Sequence, residues 1–548
     1  MVRRLLLLGL LGLAGLVGVL GVVSGGSAAT PLAAVWGNAI EVPGTAALNT
    51  GGSADTYSVS CATAGNCAAG GQYFDGSSHF QAFVVSETNG SWGNAIEVPG
   101  SATLNSGGGA DTYSVSCAAA GNCTAGGQYL DGSDHLQAFV VDETNGSWGN
   151  AIEVPGSAAL NSGGGADTSS VSCATAGNCT AGGTYTDGSG HQQAFVVDET
   201  NGSWSNAIEV PGSATLNTGG NASVYSVSCA TAGNCVAGGT YTDGSGNGQA
   251  FVVSETNGSW GNAIEVPASA ALNSGGYAAV WSVSCATAGN CTAGGSYVDG
   301  SAHQQSFVVD ETNGSWGNAV EVPGSATLNS GAYAGVKSVS CATAGNCTAG
   351  GFYSDGSEQQ YAFVVDETNG SWGNAIEVPG SSILNTGLNA NTDSVSCATA
   401  GNCTAGGYYT NASGHLQSFV VRETNGSWGN AVEVPGSATL NTGGINAGVN
   451  SVSCATAGDC AAGGQYTDGS GAYQAFVVNF PASCVVPNVL GKPLSTAKTE
   501  LKAAHCGIGK IVRVYSKVKK GRVVAQNPKH GKHLKAGARV ALTVSKGK

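Results

Sequence analysis

The sequence predicts an all-β protein, an eight-bladed β-propeller of 56-residue repeats, followed by a small α+β domain. Three observations predict it. The string WGNAIEVPG, or a close variant, starts at Trp36, Trp92, Trp148, Trp204, Trp260, Trp316, Trp372 and Trp428, a step of 56 residues each time. Each copy is followed by a cysteine pair in SVSCATAGNC or a near variant, then by a run like AFVVDETNGS. The pattern ends at Val478, and the remaining chain changes to a lysine-rich composition. A fixed long period marks a repeat architecture in which neighbouring units bury each other's apolar faces. It also limits function. Whatever one unit does is done eight times, so specific chemistry must sit where the copies differ.

The first element is an export signal over residues 1–29. Arg3 and Arg4 form a basic start, Leu5 to Val23 is apolar and Gly sequence, and Ser27-Ala28-Ala29 offers a small-residue cleavage site. The 19-residue apolar run also has nearly the length of a membrane span, so an uncleaved anchor is the alternative. No later segment has that character, and the rest of the chain is expected outside the cytoplasm.

Residues 30–483 form the repeat domain, with four candidate strands per unit. In the third copy they are SVSCA from Ser170, CTAGGTYT from Cys179, QAFVVDE from Gln193 and SWSNAIEV from Ser203. Each is short, rich in Val, Thr, Tyr, Phe or Trp, and bounded by residues that favour turns. The hairpin connections ATAGN, DGSGH and TNG tolerate positive φ. No segment has a helical period. The first unit opens with only the outer strand WGNAIEV, and the last stops at Val478 without one. Trp36 to Val42 is therefore expected to complete the last unit and protect its edge. A β-solenoid is the alternative architecture.

Eighteen cysteines punctuate the chain. Sixteen fall as C-x5-C pairs: Cys61/Cys67, Cys117/Cys123, Cys173/Cys179, Cys229/Cys235, Cys285/Cys291, Cys341/Cys347, Cys397/Cys403 and Cys454/Cys460. Each repeat pair flanks the tight turn between the first two strands. Cys484 and Cys506 lie beyond the repeats. An even count in an exported chain reads as disulfides. Zinc spacing would need a second ligand pair, and none recurs. Neither a metal nor a cofactor is expected.

The copies differ most four residues before the first cysteine of each pair. There stand Tyr57, Tyr113, Ser169, Tyr225, Trp281, Lys337, Asp393 and Asn450. Loops held by a rigid scaffold concentrate binding, so Tyr57, Tyr113, Tyr225, Trp281, Lys337, Asp393 and Asn450 are the candidate ligand-binding residues, for a glycan or a protein. Tyr73 and its seven invariant counterparts read as packing residues. His79, His135, His191, His303 and His415 recur in the DGSGH-type loop but are Asn247, Gln359 and Ala472 elsewhere, which suits solvated loop positions. The DGS turns could offer oxygens to calcium but match no EF-hand spacing. The carboxylates of the DET run read as polar residues at a strand end. With no G-x-S-x-G, no HExxH and no free thiol, the chain is expected not to be an enzyme. The alternative is a polysaccharide lyase or glycosidase acting through a symmetry-broken site. A structural spacer or adhesin is a third reading.

The last element, residues 484–548, carries Val486-Pro487-Asn488-Val489 with Gly491, then Ala497 and Leu501 at helical spacing. Gly521, Val523-Val524, Gln526-Asn527-Pro528, Gly531 and Gly537 follow, and Val540-Leu542-Val544-Ser545-Lys546-Gly547 close it. As a set these residues resemble the PASTA domain of penicillin-binding proteins and bacterial receptor serine/threonine kinases. The resemblance implies recognition of peptidoglycan. Ser495 to Ala504 suits a short helix, with Thr496, Ala497, Leu501 and Ala504 available for one face, and KGRVVAQ and ARVALTVS alternate as strands. The family usually shows Gly and an apolar residue where this chain has His505-Cys506, and a Cys484–Cys506 bond would tie the strand entry to the helix end.

Charge divides the chain in the same place. From Thr30 to Ser483 there are 33 acidic residues against Lys337 and Arg422, a balance of −31; from Cys484 onward 15 Lys and Arg oppose Glu500, a balance of +14. A basic module of this kind is aimed at an anionic partner. Lys517, Lys519, Lys520 and Arg522 are the candidate wall-binding residues. Export makes nucleic acid a poor partner. The expected molecule is a bacterial, cell-wall-associated binding protein and a monomer.

Overall fold

The structure, a computed structural model, describes residues 35–480, 484–504, 506–534 and 538–548. The predicted signal segment lies outside the described residues. Among the described residues, no helix is long and apolar enough to cross a membrane.

The repeats form eight separate antiparallel sheets, six of five strands and two of four. In the third unit Ala166–Thr175, Asn178–Thr186 and Gln192–Thr200 make a three-stranded meander. Ser203–Trp204 and Ile208–Glu209 both pair with the outer side of the third strand. The third strand is a run of four buried residues, Ala194 to Val197, which is the pattern of a strand covered on both faces.

The eight-bladed β-propeller expected from the repeats is corrected. Each sheet is an open one, and none closes or curls on itself; the repeat region is a solenoid-like succession of open sheets. The expectation of four strands per unit fails with it. SWSNAIEV does not run as one strand, because the Ala207 N–H is donated to the Pro155 carbonyl of the preceding unit at 2.7 Å and so cannot serve its own ladder. The outer edge is left as two two-residue pieces. What holds the region together is packing between sheets rather than closure within one. Val140 and Val154 of the second unit share a core with Val171, Tyr185, Phe195 and Val197 of the third. The Val171 and Cys173 N–H groups are donated to Ser114 Oγ and Ser116 Oγ at 3.1 and 2.9 Å. The first and last units make the same kinds of contact. Val59 and Cys61 bond Ser451 and Ser453, and Ile40–Glu41 pairs with the last long strand, Ile40 opposite Val477.

Two details escaped the sequence. Each VPGSATLN-type segment turns through a four-residue helix, Ser213–Leu216 in the fourth unit, entered through left-handed Gly212 at φ 79°. One turn is too short to leave a period. The Gly-Gly pair of the second strand is a packing device. A Cβ on Gly183 would lie 1.9 Å from the Asp167 carbonyl oxygen, and one on Gly182 would lie 2.8 Å from Val224 of the next sheet.

All nine expected disulfides are present, eight at a separation of six residues and Cys484–Cys506 at 22. In one respect the repeat bonds differ from staples on a surface turn. The second cysteine of every pair is buried: Cys67, Cys123, Cys179, Cys235, Cys291, Cys347, Cys403 and Cys460. The first cysteine of each pair is only half-buried. The cause lies in the neighbouring unit, where the residue after the equivalent cysteine packs on the sulfur. The Thr124, Thr180, Thr292, Thr348 and Thr404 hydroxyls lie 3.2–3.5 Å from the Sγ atoms of Cys179, Cys235, Cys347, Cys403 and Cys460. Where that residue is Ala461, Ala68 or Val236, it shares an apolar core with Cys67, Cys123 or Cys291. These bonds therefore belong to the packing between sheets, and turn spacing alone does not reveal it. Cys484 and Cys506 are likewise buried in a core.

The C-terminal domain sets the helix Leu494–Ala503 against a three-stranded sheet. In that sheet Arg539–Ser545 lies between Gly507–Val514, parallel, and Val523–Asn527, antiparallel. Ala497 and Leu501 are buried with Val486, Val489, Val540 and Leu542. Thr496, expected on that face, is exposed.

Candidate functional site

The variable residues share one backbone device. In every first strand the register slips between the residues on either side of the variable position, between Thr56 and Ser58 and between Val336 and Ser338, for instance. The variable residue is therefore the extra residue of a β-bulge. A bulge re-aims its side chain and tolerates exchange because no ladder bond depends on it. This is why drift and specificity concentrate there. The alternation of the strand gave no sign of it.

Two neighbourhoods form along these bulges. The first joins the opening copies. Tyr57 and Tyr113 lie with ring centroids 6.1 Å apart. Beneath them are three carboxylates that the sequence pattern did not single out, Asp55, Asp111 and Asp167, each two residues before its bulge. Burial pushes the Asp55 carboxyl up to about 6, against a Gln72 hydrogen bond that lowers it and with Asp111 adding to the rise. Burial likewise raises Asp111 and Asp167. Gln128 and Tyr113 donate to Asp111 Oδ2 at 3.1 and 3.4 Å, and Ser169 donates to Asp167. The signal for these residues was the change from Asp in three copies to Ser223, Ala279, Gly335, Asn391 and Gly448 in the rest.

The second neighbourhood breaks the symmetry more sharply. Lys337 Nζ stands 4.0 Å from the centroid of the Trp281 ring and 5.7 Å from that of Phe352. Burial lowers the lysine, and the nearby Asp393 partly opposes this. Asp393 accepts a hydrogen bond from Asn391 Nδ2 at 2.7 Å, yet burial pushes its carboxyl up to about 7 even with Lys337 pulling it down. One cation, one indole and one carboxyl raised to about 7 thus meet on adjacent first strands. Tyr225 is more exposed, at 39%. Asn450 is spent on the backbone, donating to the Thr56 carbonyl at 3.0 Å between the last and first units.

The invariant tyrosines do more than pack. Tyr185 donates to Glu209 Oε2 at 3.3 Å, and the same bond recurs in the other units described. The loop histidines are mainly exposed, and their backbone N–H groups cap the side chain that opens the turn, an aspartate in four copies, as His191 does Asp187 at 3.0 Å, and Asn411 at His415. Among the described residues, no group of three or more His, Cys, Asp or Glu is placed to hold a metal ion.

In the C-terminal domain Lys517, Lys519 and Lys520 are exposed in the connection from Val514 to Val523. Arg522 is not free with them, for its Nη1 donates to the Gly491 carbonyl at 2.6 Å. Tyr515 is 76% exposed on the same connection, with Lys546 Nζ 5.1 Å from its ring centroid.

Comparison with known proteins identifies residues 485–546 as a PASTA domain. A probable serine/threonine-protein kinase of Clostridium acetobutylicum is 33% identical over 63 residues, which is 11% of this chain and 10% of that protein. The chain thus spans about a tenth of the length of this curated relative. The repeat region aligns distantly with several solved structures. They include a polysaccharide lyase described as an ulvan lyase (8% identity, 65% of this chain and 89% of that one, TM-score 0.38). A neuraminidase-like protein of A/flat-faced bat/Peru aligns at 14% identity over 73% of this chain and 99% of that one, TM-score 0.36. A Hadza microbial sialidase aligns at 9% identity over 73% and 72%, TM-score 0.33. The expectation that the chain is not an enzyme is not upheld: proteins described as carbohydrate-active enzymes align over 65–73% of it. A search for contiguous motifs does not detect a site assembled from single residues of adjacent repeats. At these TM-scores the likeness carries no mechanism or substrate to this chain.

Proposed function

We propose that this is an extracytoplasmic protein of the bacterial cell wall, in which the PASTA domain engages peptidoglycan and the repeat region acts on a polysaccharide through the cluster of Trp281, Lys337 and Asp393. The observation that carries the first half is the PASTA domain itself, on a segment of charge +14. The second half is supported by the cluster. An indole is a platform for a sugar ring, and a carboxyl raised to about 7 is poised to exchange a proton with a leaving oxygen at neutral pH, as a general acid must. Lys337 is one of only two strong bases in the repeat region, so it is the group most able to hold an acidic substituent there.

Two measurements on the full chain test this reading. Incubation with purified peptidoglycan should sediment the protein. Incubation with a panel of bacterial and algal polysaccharides should release new reducing or unsaturated ends from at least one, and Asp393→Asn should abolish that release while leaving sedimentation intact. Release that survives the substitution would move the chemistry elsewhere, and no release from any polymer would remove the enzymatic half.

A further inference from the structure

The DET run conceals a second feature that repeats with variations. The residue after each AFVV-type run meets a residue of the next unit, 57 positions further along at six junctions and 58 at Arg422–Phe480, while Asn479 of the last unit meets Glu87 of the first. Two of these junctions join Ser to Glu, with Ser86 donating to Glu143 Oε1 at 2.6 Å and Ser254 to Glu311 Oε1 at 2.9 Å. At a third, the Asn479 amide donates to Glu87. At a fourth the aspartate position holds Arg422, and the glutamate position holds Phe480; the guanidinium carbon sits 3.7 Å from the Phe480 ring centroid and Nη2 donates to the Ala457 carbonyl. The four others oppose two acids: Asp142 and Glu199, Asp198 and Glu255, Asp310 and Glu367, Asp366 and Glu423.

In these four the aspartate is the committed acceptor. Asp142 takes the Thr124 hydroxyl on Oδ1 at 2.6 Å and the Trp204 indole N–H on Oδ2 at 3.0 Å, and its three counterparts are held in the same way. The glutamate is left over. Glu199, Glu255, Glu367 and Glu423 are 2–5% exposed, and Oε2 of each is buried without a hydrogen-bond partner; Glu311 Oε2 shares this state although its Oε1 is bonded. The clefts beside Glu199, Glu255 and Glu367 carry further carboxylates. A cleft of about 430 Å³ contains Asp142, Glu143 and Glu199, and clefts of about 280 Å³ contain Asp198, Glu199 and Glu255 in one case and Asp310, Glu311 and Glu367 in another. None of the three is lined by Lys, Arg or His. Arg422, next in sequence to Glu423, lies over the Phe480 ring and donates Nη2 to the Ala457 carbonyl, while its Nε is buried without a partner.

We propose that these four junctions are proton-binding sites, in which each Asp–Glu pair holds one proton between neighbouring sheets, so that the repeat region packs most firmly in mildly acidic surroundings and loosens as the medium turns alkaline. A buried carboxyl oxygen with no donor is costly as a carboxylate but can itself donate when protonated. A neutral donor at the junction offsets part of the burial: Ser86 and Ser254 hold down Glu143 and Glu311, which burial still raises, and Asn479 holds down Glu87, which burial nonetheless pushes up to about 7. Burial first, and the facing aspartate second, push each of the four glutamates up to about 7 from an ordinary 4.5. The sign follows: the folded state binds the extra protons, so their stabilisation is complete below about pH 4.5 and is lost as pH rises through 7.

The test is the melting temperature of the full chain from pH 5 to pH 9 at constant ionic strength with a chelator present. The native protein should melt lower at pH 8 than at pH 5. The fourfold variant Glu199→Gln, Glu255→Gln, Glu367→Gln, Glu423→Gln places an amide N–H where the proton would be, and should flatten that fall. So should Asp142→Ser, Asp198→Ser, Asp310→Ser, Asp366→Ser, which copies the junction at Ser86. An unchanged slope in both variants would overturn the proposal. Should the variants not fold, carbon NMR of assigned glutamate carboxyls in the native protein decides: Glu199, Glu255, Glu367 and Glu423 titrating near pH 7 support it, with Glu87 expected there as well, and these four titrating near pH 4.5 overturn it. If calcium added at pH 8 restores the native melting temperature and not that of the Gln variant, the pairs are cation sites and the proton reading is overturned.

Discussion

Gly183 and Gly202 sit in the same repeat and separate two reasons for glycine. Gly183 has no room: a Cβ there would overlap the Asp167 carbonyl oxygen at 1.9 Å, and a ladder backbone cannot step aside. Gly202 has open space but a φ of +79°, which L side chains rarely adopt. Left-handed backbone costs an ordinary residue about 1–2 kcal/mol, whereas overpacking against fixed atoms costs about 1–3 kcal/mol and occasionally more. Gly183→Ala should therefore lower the melting temperature of the repeat region more than Gly202→Ala, read by calorimetry on otherwise identical proteins. Equal effects would mean that the sheet yields at Gly183. At this scale the sequence was partly legible. Lys337 and Asp393 stood out because they break a repeat. Glu199 did not, because an acid repeated in seven of eight units beside an exposed Thr200 reads as a solvated strand end, and only the facing sheet shows that it is buried.

The hairpin between the first two strands is the element the disulfides act on. Cys173 and Cys179 face each other across the ladder, and closing so short a loop removes about 2 kcal/mol of chain entropy from the unfolded state. The 22-residue span from Cys484 to Cys506 removes about 3 kcal/mol by the same relation. The difference matters because the two parts are so unequal. The C-terminal domain rests on one small core, whereas each repeat shares cores with neighbours. Cys484→Ser with Cys506→Ser should unfold the C-terminal domain at a markedly lower temperature, while Cys173→Ser with Cys179→Ser should shift the repeat transition by only a few degrees. Two separate calorimetric transitions would be followed; a larger shift from the single repeat bond would contradict the argument. The cysteine pairing was legible because both the spacing and the turn residues point to a hairpin. The burial of Cys235 against Thr180 was not, and neither was the open outer edge. Nothing in SWSNAIEV announces that Ala207 gives its N–H to Pro155 one unit back, since that bond depends on how two units stack.

For the whole molecule, the division of charge sets how it meets a surface. The repeat region carries −31 and the C-terminal segment +14. An anionic wall should repel the first and attract the second, with a reach of about 8 Å at physiological ionic strength. If charge dominates attachment, sedimentation of the full chain with peptidoglycan should weaken as salt rises. It should also weaken in Lys517→Ala, Lys519→Ala, Lys520→Ala, which removes three exposed charges. Arg522 is a different matter. Its guanidinium pins the Gly491 carbonyl, so Arg522→Ala should lower the melting temperature of the C-terminal domain rather than act as a simple loss of charge. The triple lysine variant should keep its melting temperature and lose binding severalfold. If it binds as well as the native chain in both low and high salt while soluble muropeptide still competes, the wall is recognised by the shape of the domain, and the field of the lysines contributes nothing to it.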